Sequence, residues 1–190
     1  MLGLVCAWAL ATAPVETAHR AVTTDDGAAL ALYRYRGAGD TGAPPVLLLA
    51  DLGFGRGLLE GLARTLAASG RLVFVAELRG QGASAPGGSL RTWLHLDLPA
   101  IGAAIARERP GPVDLVAHGW TGSLALAAST RELKVRRVVA LNTPVTPEQP
   151  TLALGQFLRD GGDFSRFASS PQGAAEFERL FVMGSPIAAS

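Results

Sequence analysis

Val113-Asp114-Leu115-Val116-Ala117-His118-Gly119-Trp120-Thr121-Gly122-Ser123-Leu124-Ala125-Leu126-Ala127-Ala128 reads as a strand, a sharp turn and a helix. Val113 to Ala117 is a short, mostly apolar run, bounded by Pro112 on one side and a glycine turn on the other. That is the pattern of a buried parallel strand. Ser123 to Thr130 is small and apolar, as a helix packed tightly on a sheet is. Between them lies the turn His118 to Gly122, so sharp that its neighbours must be small.

The same alternation of strand and helix extends along the chain. His19 to Thr24 and Ala28 to Tyr35 are strand-like and joined by Asp25-Asp26-Gly27, where Asp-Gly favours a tight hairpin. Arg34 and Arg36 alternate with Tyr33 and Tyr35, which predicts an edge strand with one wet face. After a Gly/Pro loop, Val46 to Ala50 is wholly apolar and predicts a buried strand, with Asp51 to Gly57 as its loop. Leu58 to Ser69 carries Leu58, Leu59, Leu62 and Leu66 at helical spacing, and Gly70 stands where a C-terminal cap would. Leu72 to Ala76 is the next buried strand and Glu77 to Ser84 its loop. Leu90 to Arg109 contains a helix, with Pro99 at its first turn or kinking it, and Pro110 ends it. Val135 to Leu141 is a further strand.

Strands and helices joined by short loops predict an α/β fold: an open, mostly parallel sheet with helices on both faces. In such sheets ligands bind at the carboxyl ends of the strands. The loops 51–57, 77–84, 118–122 and 142–147 are expected at that edge. Thr151 to Arg159 and Gly173 to Met183 read as short amphipathic helices of a cap, with a break at Asp160 to Asp163. The expected division is an apolar N-terminal segment (1–18), the α/β core (19–145) and a helical cap-like segment (146–190).

The chain has 190 residues, 48% hydrophobic and 17% charged, which is one domain's length with material for a sizeable core. A net charge of +1 argues against a nucleic-acid partner, which requires a concentrated basic face. Sixteen of the seventeen basic residues are Arg, with Lys134 the exception, and this reads as coding bias. Cys6 is the only cysteine, so neither an intrachain disulfide nor a cysteine-based zinc site can form. No metal or cofactor is expected. Met1 to Ala13 is apolar but shorter than the ~20 residues of a membrane span, so no stable span is expected. Ala11-Thr12-Ala13 resembles a small-residue cleavage site without a basic n-region before it. The segment reads as a weak signal, a packed helix or a misassigned start, with the cytoplasm as default location.

The run from Pro45 to Asn142 resembles the α/β-hydrolase fold of the esterase/lipase and serine-aminopeptidase kind. Three features carry the resemblance, in the right order and spacing. They are the strand Val46 to Ala50 with its glycine-rich loop, the acidic-x-Arg-Gly-x-Gly-x-Ser loop from Glu77 to Ser84, and Val113 to Ala128. A dinucleotide-binding unit is the competitor, but no Gly-x-Gly-x-x-Gly opens the first helix. The resemblance places the family's nucleophilic elbow serine at Gly119 and its flanking glycines at Ala117 and Thr121. The branched Cβ of Thr121 is expected to crowd the turn. By the same resemblance the oxyanion-hole positions are Leu52 and Trp120. A carboxylate at Asp51 beside them would oppose a developing oxyanion, unless it points to solvent or caps the next helix. The family's acid and histidine follow the elbow, yet no histidine follows His118.

Gly119 has no side chain to attack with. The expectation is therefore an α/β-hydrolase-like protein of esterase/lipase ancestry, truncated and catalytically inactive, holding at most a small apolar ester-like ligand. The alternative is an active ester or amide hydrolase with a non-standard nucleophile, or a fragment of a longer hydrolase. Thr121, Ser123 and Ser84 carry hydroxyls that could substitute, with Thr121 out of register and Ser123 explained by capping or packing; His118, the remaining catalytic candidate, stands where the family often has a histidine that is not its base, and His19 and His95 read as surface residues. Arg79 is expected to anchor its loop, and Trp93 and Trp120 to pack in the core or at its rim. An apolar outer edge on Val135 to Leu141 predicts a homodimer through that edge.

Overall fold

The computed structural model describes residues 14–128, 133–143 and 171. The segment up to residue 13 and the cap-like helices expected at 151–159 and 173–183 lie outside the described residues, as does the rest of the 146–190 segment apart from 171.

β1 (Glu16–Thr23) and β2 (Ala29–Arg36) form the expected hairpin, paired antiparallel with Thr23 opposite Ala29. Gly27 takes φ +85° in its turn, the left-handed conformation that Asp-Gly supplies. β3 (Val46–Leu49), β4 (Val73–Glu77), β5 (Val113–His118) and β6 (Val135–Leu141) complete a six-stranded sheet in the order β1-β2-β4-β3-β5-β6. β4, β3, β5 and β6 run parallel, and β2 joins β4 antiparallel. β2 is therefore an interior strand and β1 the edge, contrary to the edge reading of Tyr33 to Arg36. The arginine alternation has a different cause: Arg34 is half-buried and pairs with Glu16 on β1 and with Glu108, 3.1 Å away, from a covering helix.

α1 (Glu60–Ala68) follows a 3-10 turn (Arg56–Leu58). The leucine stripe does not define its buried face, because Leu58 and Leu62 are exposed while Leu59, Ala63 and Ala67 are buried. Small side chains let the helix axis lie close to the sheet, so alanines take the contact. Gly70 caps it at φ +87°, its N–H donating to Ala67 O. α2 (Leu90–Thr92), held by a Ser89/Thr92 capping box, runs through a π-helical turn (Trp93–Asp97) into α3 (Leu98–Glu108). The widened turn precedes Pro99, whose ring would otherwise press on a carbonyl one turn back. Arg109, before Pro110, is already extended and ends the helix. α4 (Trp120–Ala128) starts three residues before the apolar run that predicted it.

α1 packs on one face of the sheet with Val46, Leu48, Val73 and Val75. α3 and α4 pack on the other with Leu47, Phe74, Leu115 and Trp93. The chain goes from β3 to one neighbour, β4, and then returns to the other, β5. The connections leaving β3 and β5 therefore diverge to opposite faces, and a crevice opens at the carboxyl ends of these two strands.

Candidate functional site

Leu49 of β3 lies in register with Ala117 of β5, so Asp51 and Gly119 emerge side by side at that crevice. Gly119 has φ +62°, its N–H donates to Leu141 O at 2.8 Å, and its carbonyl accepts from Gly122 N at 3.0 Å. A left-handed residue pinned between a strand and a helix is the geometry of an elbow.

The Asp51 side chain turns inward. Its Oδ1 accepts from Leu52 N and from Trp120 N, each at 2.8 Å. Asp51 therefore caps α4, across the sheet, rather than the helix that follows its own strand or the solvent. Both amides that the resemblance singled out converge on this one oxygen. A Cβ built on Gly119 would overlap the Asp51 carboxylate, with all three of its terminal atoms inside van der Waals contact. Gly119 takes this φ without strain, and a side chain there would have to move the Asp51 carboxylate. Asp51 Oδ2 faces His118 Nδ1 at 3.8 Å, too long for a hydrogen bond, and Nδ1 is buried with no partner among the described residues.

Burial raises the Asp51 pKa, against the lowering effect of the two amide bonds and of His118. A raised folded pKa means that the group's contribution to stability is present in acid and is lost as pH rises through that pKa. Asp51→Asn keeps an oxygen for both amides and removes the charge. It is expected to match the parent in acid and to equal or exceed it in Tm once pH passes the raised pKa. Melting curves across pH 3–8 check this. An Asn variant that loses stability at neutral pH would contradict it.

The hydroxyl candidates are placed as follows. Thr121 is fully buried, its hydroxyl donating to His118 O at 2.7 Å, with Leu49 O at 3.3 Å as the weaker alternative acceptor. The crowding expected at Thr121 does not arise, because these bonds seat its side chain beneath β3. The tight position is its neighbour Gly122, where an added Cβ would overlap the Thr143 side chain. Ser123 is half-buried on α4. Ser84 donates to Glu77 O at 2.5 Å and accepts from Ala31 N at 2.8 Å. His19 stacks on Tyr33 at 4.7 Å, and His95 is exposed on the π-helical turn. Trp120 packs partly buried at the rim, while Trp93 is in the core.

Glu77 had only a motif position in the sequence, yet it organises the crevice wall. It is buried at the end of β4 and accepts from Arg56 N at 2.7 Å and Ala83 N at 2.8 Å, and from the Tyr33 hydroxyl at 3.4 Å. The signal was available in Gly55 and Gly82, since a Cβ at either would run into its carboxylate. Among the described residues no group of three His, Cys, Asp or Glu could hold a metal ion. No helix among them is long and apolar enough to cross a membrane.

A mixed sheet in this strand order, with a left-handed turn leading from β5 into α4, is the α/β-hydrolase fold. Solved structures agree. An esterase of Pyrococcus furiosus superposes with a TM-score of 0.62 at 20% identity, covering 88% of this chain and 61% of its own. An epoxide hydrolase of Vigna radiata gives 0.59 at 23% identity, covering 92% of this chain and 57% of its own. A hypothetical protein of Pseudomonas aeruginosa gives 0.61 at 18% identity, with coverages of 90% and 52%. The chain thus spans little more than half the length of these structures. No protein-family model matches it, and no curated protein does.

Proposed function

We propose that this chain is a non-catalytic α/β-hydrolase-fold protein of esterase/lipase ancestry. One observation carries the reading: the elbow position is Gly119, held at φ +62° with no side chain to attack a carbonyl. Loss of a triad member costs orders of magnitude in rate, and no residue elsewhere in a longer chain restores a nucleophile at this position. Thr121 does not replace it, because its hydroxyl is buried and donates to the His118 carbonyl at 2.7 Å. A small apolar ester-like ligand at the strand ends and a homodimer through the outer edge of β6 belong to the same proposal. Val139 and Leu141 are exposed on β6, which supports the second.

The test is hydrolysis of short- and medium-chain nitrophenyl esters by the purified chain, beside a Thr121→Ala/Ser123→Ala double variant. The expected rate is that of buffer for both. Turnover that disappears in the double variant would replace this reading with that of an active hydrolase with a displaced nucleophile.

A further inference from the structure

We propose that Asp51 is a tethered carboxylate ligand of the fold's own oxyanion site, and that Asp51 and Gly119 form an interlocked pair that holds the site shut. The inference rests on the non-catalytic reading above and says what occupies the site in place of a substrate.

The argument starts from the donors. The N–H of Trp120, first residue of α4, and the N–H of Leu52, from the loop after β3, belong to different elements on opposite sides of the crevice. They meet on one oxygen, Asp51 Oδ1, at 2.8 Å each. Two convergent amides from these places are the arrangement that holds a developing oxyanion in acyl transfer. Here the oxygen is supplied by the chain itself. It gains from the partial positive charge at the α4 N-terminus as well as from the hydrogen bonds. A substrate carbonyl would have to displace a carboxylate whose effective concentration is set by a single backbone tether.

The second half of the pair is steric. The Asp51 carboxylate stands where the side chain of residue 119 would start, so a Cβ there and the carboxylate exclude each other. A side chain at 119 and the carboxylate in this position compete for the same space, and here the carboxylate has it. His118 completes the enclosure, with Nδ1 buried 3.8 Å from Asp51 Oδ2.

A double-mutant cycle with Asp51→Gly and Gly119→Ala tests the interlock by thermal melting. Both arms that carry Gly119→Ala bear the same backbone strain at φ +62°, so strain cancels and the overlap remains. Asp51→Gly alone is expected to lower Tm by on the order of 5 °C, because two buried amides lose their acceptor. Gly119→Ala is expected to lower Tm far more in the parent than in Asp51→Gly. Additive shifts would overturn the proposal. If the Gly119→Ala protein does not fold, the same substitution is compared in Asp51→Gly and in Asp51→Asn, where the overlap persists and the alanine must again cost more. The ligand class is tested with acetate, which has the shape of the deleted side chain. Acetate is expected to raise the Tm of Asp51→Gly above equal concentrations of chloride, and to leave the parent unchanged. Equal effects of acetate and chloride would show that the site does not select a carboxylate and would overturn that half. Ester turnover by the parent would instead overturn the non-catalytic reading, whatever the cycle gives.

Discussion

Arg79→Met is expected to destabilise the chain by about 3–5 kcal/mol, the cost of leaving one member of a buried ion pair unpaired. In a chain of this length that corresponds to a Tm drop of roughly 6–20 °C. Arg79 is nearly buried, and its Nε donates to Asp97 Oδ1 at 2.7 Å while its backbone N–H donates to Asp97 Oδ2 at 3.0 Å. The two terminal nitrogens reach Asp26 in the hairpin turn at 2.5 and 2.7 Å, and Thr24 at 3.2 Å. Asp97, on the π-helical turn, has no exposure at all. One guanidinium therefore ties the β1–β2 turn, the loop after β4 and the helix before α3. Trp93 closes the cluster from behind, its Nε1 donating to Arg79 O at 3.0 Å.

The pH dependence of that variant has a definite sign. Burial already raises the Asp97 pKa, against the pull of Arg79. Without the guanidinium it rises further. A raised folded pKa gives stability that is present in acid and lost as pH rises through it. The deficit of Arg79→Met is therefore expected to be smallest near pH 4 and largest at neutral pH, as measured by urea unfolding at both. Lysine is not a substitute, since a single ammonium cannot span two carboxylates as the planar fork does. A deficit below about 1 kcal/mol at neutral pH would mean that the pair is solvated and the anchoring role wrong.

The fold was legible because its signals are local. Val46 to Ala50 and Leu72 to Ala76 are apolar runs that fold as wholly buried strands, Val113 to Ala117 is a strand that buries alternate residues fully, and the Gly27 and Gly70 turns announce themselves by residue type. What was misread depends on partners distant in sequence. Tyr33 to Arg36 has the alternation of an edge strand, but the sequence does not show that Val73 to Glu77 pairs with it. The buried face of α1 is chosen by the closeness of the sheet, which favours Ala63 and Ala67 over longer leucines. At the crevice, the left-handed turn was readable from Gly119 within the run Val113 to Ala128. The direction of Asp51 was not, because the amide that draws it inward, Trp120 N, is 69 residues away and approaches only when β3 and β5 pair.

Glu77→Gln is expected to cost about 3 kcal/mol or more, although it conserves shape, because both carboxylate oxygens already accept from backbone amides. Oε1 takes Arg56 N at 2.7 Å from the loop after β3, and Oε2 takes Ala83 N at 2.8 Å from the loop after β4. A glutamine offers one oxygen and one NH2, so in either orientation a donor faces a donor across a buried contact. One loop amide then loses its acceptor and faces the glutamine NH2. Gly55 and Gly82 leave no slack for a shifted side chain, since their backbones already lie against the carboxylate. The released loop is expected to open locally. Amide hydrogen exchange should therefore accelerate over 54–57 or 82–84 well beyond the change across β5, while Glu77→Ala accelerates both. Uniform acceleration over the whole sheet would mean that Glu77 supports the core generally and does not hold the two crevice loops. The distinction matters for the site, because the 51–57 loop that Glu77 pins also carries Asp51 and Leu52. The tethered carboxylate can sit on its two amides only while that loop keeps its place beside β5.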